Sequence, residues 1–265
     1  MKILKTSQVK EADEYTIKNE PISSVDLMER AARNATNWIL DELGHFDKFV
    51  IFAGTGNNGG DGLVIARLLH LEKKNVDLYI VKFSEKFSDD FLINLNRLND
   101  LNFKVNYITK IEEFPKIDKN SIVIDAIFGS GLTRPVLGFA GEVLYKINTS
   151  DKKILLSIDI PSGLFGEENH HLGEQNIIEA DITLTFEFPF LSFFFPENQN
   201  YVGEFYIIPI GISHNYISKA ETRFYTIENQ EVKNMYKIPE KFAHKGKFGH
   251  GLLVAGGYGR MGASV

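Results

Sequence analysis

Val50–His70, VIFAGTGNNGGDGLVIARLLH, is the stretch that decides the fold. With Phe49 in front of it, the run to Ala53 is short, apolar and β-branched, and reads as a buried strand. Five glycines then fall within nine residues, at Gly54, Gly56, Gly59, Gly60 and Gly62. From there Leu63, Ala66, Arg67 and His70 step at helical spacing, with Val64, Ile65, Leu68 and Leu69 as the apolar stripe. A strand, a glycine loop and a helix start aim unpaired backbone N–H groups at a bound anion. Glycine lets that backbone approach a phosphate closely. The first expectation is therefore a phosphate-bearing ligand. The plain alternative is a glycine turn capped by Asn57 or Asp61 that holds nothing.

Gly54–Gly59 fits G-x-G-x-x-G, a weak pattern alone. A dehydrogenase fingerprint wants an acid closing the second strand. Here that strand, Val76 to Phe83, ends in Lys82-Phe83-Ser84 and has its acid, Asp77, at the start. Asp61 also sits inside the glycine stretch, where it repels a pyrophosphate unless a cation or a hydrogen bond offsets it. Ordinary dehydrogenase-type NAD binding is disfavoured.

Outward from this stretch, the sequence alternates. Helices are expected at residues 7–19, with Val9, Ala12, Tyr15 and Thr16 on one face and acids on the other, and from Val25 to Leu43. Ser23 and Asp26 suggest a capping box for the second, and Gly44 a C′ stop. Then come strand Val76–Val81, helix Ser88–Leu101 with Phe91, Leu92, Leu95 and Leu98 inward, and strands Phe103–Ile108 and Ser121–Phe128. Helix Phe139–Ile147 and strand Ile154–Ile160 follow, and a β-rich tail, Asp181–Phe186, Gly203–Ile208 and Arg223–Thr226. Such alternation predicts an α/β, Rossmann-like three-layer sandwich with a mostly parallel sheet. The aromatic run Phe188–Pro196 reads as core rather than as a lid. Near Pro239 a glycine- and lysine-rich connection gives way to Leu252–Ala255, read as a new strand, and a second glycine loop, Gly256–Gly262. This reads as a domain at residues 1–236, followed at 237–265 by a linker and the cut-off start of a second domain.

Net charge is −6 and no Lys/Arg run occurs, so a nucleic-acid groove is not suggested. No cysteine is present, which excludes disulfides, thiol chemistry and zinc–thiolate sites and suits the cytoplasm. The opening residues do not read as a signal peptide, and no apolar run approaches the ~20 residues of a membrane helix. His170 and His171 read as solvated loop residues, and His244 and His250 flank the linker.

In an open α/β sheet, ligands sit beyond the carboxyl ends of the strands. Three ends here are polar: Gly54–Gly62, Asp125–Pro135 and Asp159-Ile160-Pro161-Ser162-Gly163. Asn58, Asp125 and Ser162 are hard oxygen donors suited to an s-block cation; each Asp could instead cap its own turn.

Together these motifs resemble the NAD(P)H-hydrate epimerase family: GTGNNGGDG at Gly54–Gly62, DAIFGSGLTRPVLG at Asp125–Gly138 and DIPSGL at Asp159–Leu164. Ser24–Ala32 and Ala180–Phe186 match as well, while residues 244–264 resemble the start of the ribokinase-like ADP/ATP-dependent NAD(P)H-hydrate dehydratase domain. The resemblance implies epimerisation of hydrated NADH and NADPH at C6 of the nicotinamide ring, a metabolite-repair reaction. It implies a substrate lined by Asn57, Asn58, Gly59, Gly60, Asp61, Gly129, Ser130, Gly131, Leu132, Thr133, Arg134, Pro135 and Asp159. It also implies potassium on Asn58, Asp125 and Ser162, Asp159 as the catalytic acid/base, and a homodimer. Phe190 stands where the family commonly has lysine. A ligand-binding scaffold of the same fold without catalysis is the alternative reading.

Overall fold

A computed structural model describes residues 1–168, 176–236, 240–258 and 262. His170 and His171, and the glycine loop from Gly259 to Met261, lie outside the described residues. The chain divides into two compact units, Lys2–Thr226 and Met1 with Ile227–Val265.

The larger unit runs β1 (Lys2–Ile3), α1 (Thr6–Asn19), α2 (Ser24–Leu43), β2 (Lys48–Ala53), α3 (Asn57–Leu71), β3 (Asn75–Val81) and α4 (Asp89–Asp100). It continues β4 (Val105–Ile108), β5 (Ile122–Ala126), α5 (Gly138–Thr149), β6 (Ile154–Ile158), β7 (Ile182–Phe186), α6 (Gln199–Val202), β8 (Glu204–Ile208), α7 (His214–Lys219) and β9 (Phe224–Tyr225). Seven strands form a sheet in the order β4-β3-β2-β5-β6-β7-β8, and every neighbouring pair is parallel. The expected β-rich tail thus divides: β7 and β8 extend the sheet, whereas β9 pairs antiparallel with β1 in a separate ribbon.

Period-two alternation along β2 makes the three layers. Phe49, Ile51 and Ala53 join the core beneath α2, α3 and α4, while Val50 and Phe52 face the opposite core, which includes Val143, Leu144 and Ile147 of α5. Burial on both faces is why β2 is apolar throughout. Glu29 of α2 ties the first layer together, pairing with Arg33 (2.8 Å), Arg97 of α4 (3.3 Å) and Arg67 of α3.

Several local expectations need correction. Leu92 points outward, 42% exposed, and Asn94 takes a buried place on α4 instead. Gly44 ends α2 in right-handed geometry (φ −66°), so it is a C-cap rather than a left-handed C′ residue. The Ser23 hydroxyl does accept the Asp26 N–H, as expected of the N-cap. Phe188, Phe190 and Phe193 are core residues, as the aromatic run suggested. In the smaller unit, α8 (Asn229–Met235) is followed by a 3-10 turn at Lys245–Phe248, and Leu252–Ala255 form no strand and stand exposed. A short apolar run makes a strand only where a neighbour accepts its ladder.

Candidate active site

The strand order reverses between β2 and β5, since β3 and β4 lie to one side of β2 and β6, β7 and β8 to the far side of β5. Two loops diverging from such a point leave a crevice at the strands' carboxyl ends. Here the loops touch at their bases: Gly54 N–H donates to the Ala126 carbonyl (2.9 Å), and a side chain at Gly54 would collide with the Ile127 carbonyl. Above them lies a cleft of about 890 Å³. That is near the top of the ~300–1,000 Å³ usual for ligand pockets.

Helix α3 begins earlier than its sequence suggests. Gly56 is the N-cap, without a side-chain cap, and Asn57 to Gly62 are already helical. The poor helix formers Asn57, Asn58, Gly59 and Gly60 are held by packing. A Cβ on Gly59 would lie 2.1 Å from the Gly54 carbonyl oxygen, and one on Gly62 would lie 2.8 Å from Ala126 Cβ. The free N–H groups of the first helical turn consequently face the crevice with no capping side chain in the way.

Beneath the cleft, Asp125 is the last residue but one of β5 and is wholly buried. Its Oδ1 accepts the Ser162 hydroxyl (2.6 Å) and the Ile127 N–H (3.2 Å), and its Oδ2 accepts the Ser157 hydroxyl and the Ser162 N–H, both at 2.9 Å. Burial pushes the carboxyl up, and the bonds from Ser162, Ser157 and Ile127 pull it back. Ser162 Oγ also accepts the Phe128 N–H (2.8 Å), which locks the Asp125–Ser130 turn. Asn58 is 8% exposed, lines the cleft, and has neither amide oxygen nor nitrogen satisfied. An unpartnered buried amide is unfavourable unless a ligand completes it. A hard cation of low charge fits this set of neutral and single-carboxylate oxygens. Among the described residues, no three His, Asp or Glu side chains converge as a metal cluster.

Asp159 follows β6 in the left-handed region (φ 68°), so the strand ends one residue short of it. Aspartate tolerates this conformation better than most residues, and strain of this kind concentrates at functional sites. Its amide is anchored on the Leu184 carbonyl (2.8 Å), and its Oδ2 accepts the Ser130 N–H (2.9 Å). Gly129 permits this approach, because a Cβ there would lie 2.9 Å from the carboxylate oxygen and 3.1 Å from Asn58 Cβ. Burial raises the Asp159 carboxyl and Ser130 opposes the rise. Two further acids share the cleft. Asp61 is pushed well above the usual carboxylate range by burial, then by the charges of Asp159, Asp13 and Asp90. Asp13, on α1, is pushed up to about 7 by burial, then by Asp159, Glu14 and Glu187. Carboxyls that crowd one another share fewer charges than their number, so the cleft holds protons that isolated carboxyls would release.

The family model described as YjeF-related protein N-terminus matches residues 24–191, more than half of the chain. An NAD(P)H-hydrate epimerase of Anaerococcus prevotii is 36% identical over 71% of this chain and 85% of its own length. The chain belongs to the NAD(P)H-hydrate epimerase family. The bifunctional NAD(P)H-hydrate repair enzyme of Dictyoglomus turgidum is 29% identical along the full length of this chain, which spans about half (51%) of that relative. Among solved structures, yeast ynu0, YNL200c, superposes with a TM-score of 0.65 over 87% of this chain and 98% of its own, at 20% identity, which shows a shared fold.

The family's motifs meet at this cleft, though not every residue expected there lines it. Asn57, Asn58, Asp61, Gly129, Ser130, Gly131, Leu132 and Asp159 do. Gly59 and Gly60 face inward, with the space a Gly60 side chain would need taken by the Met28 sulfur. Thr133, Arg134 and Pro135 stand beyond its wall, and Asp125 and Ser162 lie beneath its floor. Phe190, at the position where the family commonly has lysine, is buried beside Ile160, Leu164 and Phe193 and does not reach the cleft. Asp13 is a site residue that sequence reading misses. It was counted with the acids on the solvent face of α1, and one aspartate on an amphipathic helix carries no signal that sets it apart.

Proposed function

We propose that this chain interconverts the R and S epimers of hydrated NADH and NADPH at C6 of the nicotinamide ring, an isomerase step in nicotinamide-nucleotide repair. The observation that carries the reading is Asp159: a raised carboxyl, oriented by the Ser130 N–H, opening on a dinucleotide-sized cleft in a chain whose relatives are named for this reaction. The C6 hydroxyl adjoins the ring nitrogen, so epimerisation proceeds by loss and return of water or by ring opening. Either path needs a proton given to and taken from that oxygen, the role assigned to Asp159. The first turn of α3 with Asn57, and the turn from Gly129 to Leu132, hold the rest of the substrate.

Asn58, Asp125 and Ser162 would hold a potassium ion, supported by the unsatisfied Asn58 amide. When bound, its charge offsets the acids beside a pyrophosphate. Residues 237–265 are a linker and the opening of a dehydratase domain, a reading supported by bifunctional relatives that match the whole chain. Among the described residues no helix is long and apolar enough to cross a membrane. The reading places the protein in the cytoplasm, as a homodimer. Its test is to supply one epimer of hydrated NADPH and follow the other by chromatography. Tight binding without interconversion would favour the scaffold reading.

A further inference from the structure

The charged side chains lining the cleft are mostly acidic: Asp13, Glu14, Asp61, Asp90, Asp159 and Glu187. Among the described residues only Lys10 and Lys86 oppose them there, and Lys10 sits 3.9 Å from Glu14. Lys86, on the β3–α4 loop, has no carboxylate within 4 Å among the described residues, because its neighbour Glu85 is engaged by Lys82 (2.8 Å). The loop is tied to the glycine turn by a bond from Ser88 N–H to the Thr55 carbonyl (3.1 Å), which sets Lys86 beside the start of α3. The same loop carries Phe83, a large apolar side chain left 36% exposed at the cleft. One side of its ring rests on Phe128 (centroids 4.6 Å apart, planes at 33°), whose own backbone is fixed by Ser162. A ring backed on one side and open on the other is a ready stacking surface.

A pyrophosphate entering a cleft with this excess of acids needs a cation that is not already paired. The buried, unpartnered Asn58 in the first turn of α3 marks the same corner as a ligand site rather than a bare helix end. We infer that the β3–α4 loop seats the adenosine half of the dinucleotide, with adenine stacked on Phe83 and the pyrophosphate bridged between Lys86 and the N-terminus of α3. This rests on the reading that the ligand is a hydrated dinucleotide, whose reacting ring occupies the Asp159 end.

ADP-ribose, which lacks the nicotinamide, isolates the claim from catalysis. Calorimetric titration of wild type should show binding, and Phe83→Ala should weaken it ~5–150-fold, the usual range for losing one base–aromatic stack. Lys86→Gln should weaken it and flatten its salt dependence, while Lys86→Arg should restore both. In kinetics, Phe83→Ala should raise KM for the hydrated dinucleotide with kcat little changed, and reduce the preference for dinucleotide over hydrated mononucleotide. Melting curves establish that each variant is folded. ADP-ribose binding equal in wild type and variants, or absent from wild type, overturns the inference. A wild type that binds ADP-ribose in this pattern but does not epimerise would keep the adenosine seat and strike the functional reading.

Discussion

Asp13→Asn should stabilise the protein, and do so only as pH rises. The folded protein holds the Asp13 carboxyl at about 7 against an ordinary 3.8, with burial the largest cause and the charge of Asp159 next. A group raised in this way binds its proton more tightly folded than unfolded. Its stabilising effect is complete below the ordinary carboxylate range and is lost as pH climbs through about 7. At ~1.4 kcal/mol per pH unit the full displacement is worth about 4 kcal/mol. Water in the open cleft screens the charges, so ~1–4 kcal/mol is expected above neutrality. Asparagine keeps the shape and never ionises, so it removes this penalty. For a unit of this size the gain corresponds to a rise in Tm of roughly 2–15 °C at pH 8, and almost none at pH 4. Thermal melts of both proteins from pH 4 to 9 measure the difference, which should grow to about pH 7 and then level. In an Asp159→Asn background the gain should shrink, because one cause of the displacement is gone. A difference independent of pH would refute the crowded-acid account of the cleft.

Three other outcomes follow from particular contacts. Asp159→Asn should fold normally, since asparagine also tolerates φ 68°, yet epimerise ~10²–10⁴-fold more slowly, read with enzyme concentration varied above the spontaneous rate. Gly59→Ala drives a methyl against the Gly54 carbonyl, which is backbone and cannot swing away; a stability lowered by roughly 1–3 kcal/mol, read from a lower urea midpoint, is expected, and an unchanged midpoint would contradict the packing described. Potassium should raise the Tm relative to a bulky organic cation at equal ionic strength, by mass action on the native state, and Asn58→Leu should abolish the increment; identical midpoints for wild type would count against the site.

What was legible in the sequence was what periodicity and turn chemistry encode. β2 and the body of α3 stood out because burial on both sheet faces leaves an uninterrupted apolar run, and the three polar strand ends do meet at the switch point. The start of α3 was hidden: Asn57 to Gly60 are poor helix formers, and only the tertiary fit of Gly59 under Gly54 and Gly60 against Met28 makes them helical. Of the β1–β9 ribbon, Arg223–Thr226 was legible as a strand, but its partner Lys2–Ile3, more than 200 positions away, is too short for a period to show. Asp13 and Lys86 were equally silent. Their importance comes from what faces them across the cleft, and single charges on a helix or loop look alike in a sequence.

The most direct test of the central claim is the rate at which one purified epimer of hydrated NADPH turns into the other, measured against enzyme concentration. The account predicts a rate that climbs linearly from the spontaneous value with wild-type protein, and a slope at least ~10²-fold shallower with Asp159→Asn. A wild-type line no steeper than buffer alone would contradict it.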